Sequence, residues 1–213
     1  MSKPCHYVTT PIFYLNGLPH LGHAYTLVVT DFFKRAWQLF GEETFFLTGT
    51  DEHGQKIQQA AKALDREPQD HVNIMAKHFQ ELTKALDIDN DVFIRTTESR
   101  HYDAAQALWQ TLKSKGYIYE GIYAGWYAVR DEAFYKEEDL KDGKAPTGAP
   151  VEWVKESCFF FKLSAFQERL LQFYEDHPDF IAPLSRLHEA KAWVKSGLTD
   201  LAISRSTFSW GIP

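Results

Sequence analysis

The sequence predicts an α/β chain built on a parallel sheet, with a small β-rich insertion. Three observations predict it. Short apolar runs alternate with stretches whose apolar residues recur every three or four positions, the pattern of strands joined by crossover helices. Two glycine-containing polar clusters, His20-Leu21-Gly22-His23 and Gly49-Thr50-Asp51-Glu52-His53-Gly54, follow apolar runs and precede helical stretches. After Gly116 the pattern changes to aromatic residues interrupted by glycine.

Residues 6–14 read as a first strand, followed by a loop with Asn16-Gly17. From Leu21, Tyr25, Val28, Phe32, Ala36 and Leu39 recur with helical spacing, and Gly41 stops a helix of about five turns. Residues 43–49 form the second strand and Gln55 to Leu64 a helix. Pro68 suits the first turn of another helix that runs to about Leu86. Val92 to Thr96 is a third short strand. Thr97-Glu98-Ser99 offers caps for a helix from Tyr102 to Lys115, which Gly116 stops. Such alternation implies right-handed crossovers. Tyr117 to Val129 and Val151 to Leu163 read as antiparallel strands flanking the turn-rich stretch Asp142 to Pro150. Helical spacing returns at Ala165 to Tyr174 and Leu184 to Lys195, and Leu201-Ala202-Ile203 reads as a strand rejoining the main sheet. The expected division is 1–116 for the sheet domain, 117–163 for the insertion, and 164–213 for the return.

Composition bounds the function. The chain has 213 residues, 44% hydrophobic and 24% charged, an ordinary globular balance. Its 16 Phe, 10 Tyr and 6 Trp favour a packed core with some stacking surface. A net charge of −6 argues against a broad basic face for nucleic acid, though not against a local patch. No apolar run reaches the roughly 20 residues that span a bilayer, and no leader pattern opens the chain, so a cytoplasmic location without membrane association is expected. Cys5 and Cys158 are the only cysteines and form no CxxC pair, which excludes a cysteine zinc knuckle; in the cytoplasm both stay reduced.

The His20–His23 cluster carries the chemistry. A helix start presents unpaired N–H groups and partial positive charge, which suits an anion such as triphosphate. Gly22 lets a flat ligand approach the backbone. His20 and His23, three residues apart on one helix face, can donate to the same anion. The same pair could instead ligate a metal or serve as ordinary polar residues at a helix start. The second cluster, at the end of the next strand, would converge on the same crevice in a βαβ unit.

On these residues the chain resembles the N-terminal part of methionyl-tRNA synthetases, which are class I aminoacyl-tRNA synthetases. The resemblance runs along essentially the whole chain. It rests on YVTTPIFYLNGLPHLGHAYT, GTDEHGQKI, FIRTTESRH and VKSGLTDLAISRSTFSWGIP, in the family's order. It implies the first half of a Rossmann-like nucleotide-binding fold. It also implies ATP-dependent formation of methionyl-adenylate and transfer of the methionyl group to tRNA(Met), with Mg2+ accompanying the ATP. His20 and His23 would act on the transition state, and His20, Gly22, His23 and Arg205 would bind ATP. Ile12, Tyr14 and Asp51 would bind L-methionine, Asp51 through the ammonium group. The plainer roles are strand-end packing for Ile12 and Tyr14, a helix N-cap for Asp51, and a surface charge or local ion pair for Arg205.

Two departures from the family stand out. Where many members carry a CxxC pair, this sequence has Ala128 and Asp131, so no zinc is expected. Tyr123, Trp126, Tyr127, Phe134 and Tyr135 would hold the insertion by aromatic packing instead. The sequence also ends at Pro213 without a KMSKS-like run. A nucleotide-binding fragment without turnover and a different HxGH nucleotidyltransferase are therefore the alternatives to a complete ligase. GTDEHG and WGIP disfavour the latter. No signal for an oligomeric state is present.

Overall fold

A computed structural model describes residues 5–131, 133–206 and 209–213. Thr207 and Phe208 of the last family motif lie outside the described residues. The chain forms two compact units: the residues up to Ala105 with Trp210–Pro213, and Gln106–Ser209.

The first unit is built on a parallel sheet centred on β3 (Glu43–Asp51). β1 (Cys5–Thr9) and β2 (Phe13–Tyr14) follow one another along one side, and β4 (Val92–Arg95) lies along the other. The single strand expected over 6–14 is therefore split. Thr9 pairs with Leu47 but Phe13 pairs with Thr50, so four steps on one strand oppose three on the other. The extra residue is a bulge, and Pro11 within it has no N–H to donate to the ladder. On the opposite side of β3 the strands come unusually close: a Cβ at Gly49 would collide with the carbonyl of Ile94.

α1 (Leu21–Leu39) packs on β1 and β3, and α2 (Gln55–Ala63) packs on α3 (Pro68–Ala85). Phe13, Leu15, Leu27, Phe46, Ile57, Val72, Ala76 and Phe79 make the core of this unit. Each of the larger side chains contributes about 1.5–3 kcal/mol by leaving water. Pro68 occupies the first turn of α3, as its fixed φ favours.

The second unit contains an antiparallel sheet ordered β6-β5-β7-β8, from β5 (Ile118–Ala128), β6 (Ala133–Tyr135), β7 (Glu152–Phe161) and β8 (Leu201–Ala202). This corrects one expectation. Leu201 and Ala202 pair with Phe161 and Phe160 of β7, so they extend the antiparallel sheet and do not rejoin the parallel one. Two further helices, α5 (Gln167–Asp176) and α6 (Leu184–Lys195), pack together and are bridged by Lys191 and Glu175 at 2.7 Å. α4 (Ser99–Ser114) starts three residues before the expected Tyr102, and the division between units falls within it. Among the described residues no helix is long and apolar enough to cross a membrane.

The loop between α3 and β4 is fixed by charge. Lys34 of α1 is 2% exposed, and its Nζ donates to the Asp89 carbonyl at 2.6 Å and to Asp91 Oδ2 at 2.9 Å. Asp91 Oδ2 also accepts from Phe46 N at 2.6 Å. Removing one member of such a set strands the others. Lys34→Met keeps the aliphatic stem but deletes the ammonium, and should cost about 1–3 kcal/mol, read as a lower denaturant midpoint. Lys136→Met, at an exposed ion pair with Glu138, should change stability by less than about 0.5 kcal/mol.

Candidate active site

Two imidazoles close the N-terminus of α1. His20 is the N-cap, and its Nδ1 accepts from Gly22 N at 3.1 Å. His23 Nδ1 accepts from His20 N, also at 3.1 Å. Each side chain caps the backbone of the other's end of the turn, a capping box made from two histidines. The hydrogen bonds fix the tautomers: an Nδ1 that accepts a backbone N–H carries no proton, so both neutral rings hold theirs on Nε2. Each ring keeps one further donor, at a helix start whose first turn has no acidic residue.

Packing fixes the orientation. The two rings stack at 3.8 Å, and His23 meets Phe13 of β2 edge-on at 4.9 Å and Phe79 of α3 at 5.1 Å. Burial, with a smaller contribution from His20, lowers the pKa of His23 from its ordinary value, which favours the neutral form the cap requires. Gly22 has a local role as well. A Cβ there would stand 3.0 Å from His20 Cε1, so a larger residue would press the N-cap ring out of its place by a few tenths of an ångström.

The chain of contacts continues to the second cluster through β2. Phe13 is buried against His23, and the next residue, Tyr14, is half-buried in register with Asp51 at the end of β3. Ile12, 37% exposed, sits in the bulge just before them. Asp51 is not a helix N-cap, because that position of α2 belongs to Gly54. β2 thus runs from the HLGH turn, through Phe13, to the Tyr14–Asp51 pair, and the capping role for Asp51 falls away.

Sequence reading passed over the group that holds this cluster. Glu52 is fully buried. Arg95 Nε and Nη2 donate to its two oxygens at 2.8 and 2.9 Å, and the hydroxyls of Thr50 and Thr97 donate at 2.6 Å each. Arg95 Nη2 also donates to Asn73 Oδ1 at 2.8 Å. The available signal was an Arg-Thr-Thr run ending β4, a match for a carboxylate ending the neighbouring parallel strand. His53 bonds the Tyr102 hydroxyl through Nε2 at 2.9 Å, and burial lowers its pKa.

Arg205 belongs to the second unit. Its Nε lies 2.6 Å from Glu156 Oε1, and its guanidinium sits 4.3 Å over the Tyr127 ring and 5.0 Å over Phe134. Ser206 adds N and Oγ donors to the other Glu156 oxygen. The local ion pair foreseen as its plainer role is therefore present. In the same unit, Tyr123 and Tyr127 pack on Phe134 at 3.8 and 4.6 Å, and Trp126 packs on Trp153. Ala128, Ala145 and Ala149 form a small core with Tyr135 against it. Asp131 accepts from Thr147 Oγ1, from Arg130 Nε and from the Tyr135 hydroxyl.

The chain matches the family model for tRNA synthetases class I (M) over residues 6–149 and 135–213. It is 56% identical over 211 residues to the methionine–tRNA ligase of Rickettsia felis, a match covering 99% of this chain and 41% of that protein. The methionine–tRNA ligase of Rhizobium meliloti is 52% identical over 211 residues, covering 97% of this chain and 41% of its own length. Among solved structures, Mycobacterium tuberculosis methionyl-tRNA synthetase in complex with methionyl-adenylate aligns with a TM-score of 0.92 at 45% identity, over 98% of this chain and 42% of that one. The chain spans about two fifths of the length of the curated relatives it matches. With the family model matched along nearly its whole length, and the paired-histidine helix start built as described, the chain belongs to the class I tRNA synthetases (M).

Proposed function

We propose that the full-length protein is a methionine–tRNA ligase working in the cytoplasm, which activates L-methionine with ATP and transfers the methionyl group to tRNA(Met). The observation that carries this reading is the double-histidine cap. It supplies two donors at a positive helix end, one residue contact away from the Tyr14–Asp51 pair.

A methionine carboxylate oxygen attacks the α-phosphorus of ATP, the bond to the bridging oxygen breaks, and pyrophosphate leaves with the electron pair. The adduct is methionyl-adenylate. The ribose hydroxyl of the terminal tRNA adenosine then attacks the methionyl carbonyl and AMP leaves. Displacement at phosphorus needs position and charge stabilisation more than covalent help. His20 and His23 provide this through their Nε2–H groups. Gly22 leaves room for the nucleotide beside the folded-over His20 ring. Asp51 accepts the methionine ammonium, and Ile12 and Tyr14 line the amino-acid pocket. Arg205 enters through its motif match alone. Mg2+ enters with the ATP phosphates, whose oxygens are its natural ligands.

The insertion is read as zinc-free on the chemistry of its donors. Ala128 has no ligating atom, and the Asp131 carboxylate is engaged by Thr147, Arg130 and Tyr135. Metal analysis of protein purified without chelator should find far less than one zinc per chain. A tightly held stoichiometric zinc would refute this.

His20→Ala or His23→Ala should each lower methionine-dependent ATP–pyrophosphate exchange by about 10²-fold or more in kcat/KM. The wild-type rate should also fall on the acid side. The folded-state pKa of His23 is depressed, so the neutral form persists down past about 6.5 and is lost only as pH falls through the lowered value. Near-normal exchange in a variant lacking both histidines would sink the phosphate role.

Asp51→Asn removes the charge while keeping the side chain's shape. Methionine KM should rise by about 10-fold or more, with ATP KM little changed. Unaltered methionine dependence would end the ammonium assignment.

A further inference from the structure

Trp210 has no part in the chemistry assigned to the histidine pair or to Asp51, yet it grips the loop that follows Asp51. Its indole Nε1 donates to the Glu52 carbonyl at 2.6 Å. Its own carbonyl accepts from Gly54 N at 3.2 Å. Its ring lies 5.4 Å from the His53 imidazole, inclined at 43°. Three consecutive loop residues are thus each held by a different part of one residue placed 158 positions after Glu52. The Glu52 side chain is anchored by Arg95, Thr50 and Thr97, but the end of the loop at Gly54 has no side-chain hold of its own. The loop joins the end of β3 to α2, whose N-cap, Gly54, makes no side-chain cap.

We infer that Trp210 is a positioning residue for the amino-acid substrate: it latches the loop after β3 and so keeps Asp51 in register with Tyr14. The inference rests on the proposed methionine activation, in which Asp51 receives the ammonium group. The ATP side of the site does not need this latch. His20 and His23 are capped by hydrogen bonds within their own turn. Loosening the loop should therefore act on methionine more than on ATP. Misplacing a binding group by about 1 Å can cost about 10²-fold in rate.

The test uses the full-length protein with Trp210→Phe, which keeps a ring but drops the N–H donor, and Trp210→Ala, which removes both. In methionine-dependent ATP–pyrophosphate exchange, Trp210→Phe should raise methionine KM by about 5-fold or more. Trp210→Ala should lower kcat/KM for methionine by about 10²-fold, and both should leave ATP KM within about 2-fold. Hydrogen exchange at the Gly54 amide should speed up in Trp210→Ala and stay unchanged in His20→Ala. Methionine and ATP constants that shift together, or a methionine KM unmoved in both variants, would overturn the positioning role. A wild-type protein without exchange activity would instead overturn the functional reading. The Gly54 amide then still decides the latch, since equal protection in wild type and Trp210→Ala removes it.

Discussion

The carboxylate of Glu52 has no access to water, and the end of the parallel sheet is organised around satisfying it. An isolated buried carboxylate is too costly to persist, so its partners must be present and well aligned. Arg95 provides a two-point contact from the adjacent strand, Thr50 reaches it from the same strand, and Thr97 closes over it from the start of the next segment. Arg95 is in turn steadied by Asn73 of α3. Strands β3 and β4 and helix α3 are therefore tied together at the carboxyl end of the sheet. Asp51 and His53 flank Glu52 in the chain and inherit that rigidity. The ammonium-binding role proposed for Asp51 depends on such a fixed base, because a binding group must be held close to its productive geometry.

The histidine pair solves a different problem with the same economy. A helix start needs its first amides satisfied, and the anion-binding role proposed for this one needs donors. Asp would satisfy the amide but offer no donor, whereas Ser, Thr and Asn keep a donor only on a short side chain close to the backbone. Imidazole has two nitrogens, and here Nδ1 caps while Nε2–H remains a donor. The arrangement requires neutral rings, because a proton on Nδ1 would face a backbone N–H. The lowered pKa of His23 and its packing against Phe13 and Phe79 are thus part of the cap as much as of the core. Gly22 completes it by leaving space beneath the His20 ring.

How much of this was legible in the sequence differs from element to element. Helices α1 and α6 were readable to the residue because apolar spacing, stop signals and length agreed. The first strand was not, because a bulge changes register without changing composition; Pro11 was the visible clue. The placement of Leu201–Ala202 failed because a two-residue apolar strand carries no information about which sheet it joins. At the site, His20, Gly22 and His23 announced themselves through local spacing, whereas Glu52 did not. Its role depends on Arg95, Thr97 and Asn73, and nothing local to GTDEHG distinguishes Glu52 from an exposed acid beside Asp51.

The insertion is held together by packing and hydrogen bonds among its own side chains. A zinc knuckle fixes a tight loop by strong bonds from few residues. Here the loop is fixed by many weaker ones. Asp131 gathers Thr147, Arg130 and Tyr135, joining both ends of the loop. The rings of Tyr123 and Tyr127 on β5 both pack tilted against Phe134, and Arg205 lies over Tyr127 and Phe134 while paired to buried Glu156. Arg205 is held there by its charge, its planar shape and its position next to Ser206, which donates to the same carboxylate. Lysine could supply only the charge, since it lacks the flat guanidinium that lies on Tyr127 while its edge meets Glu156. That geometric demand accounts for an arginine at this position.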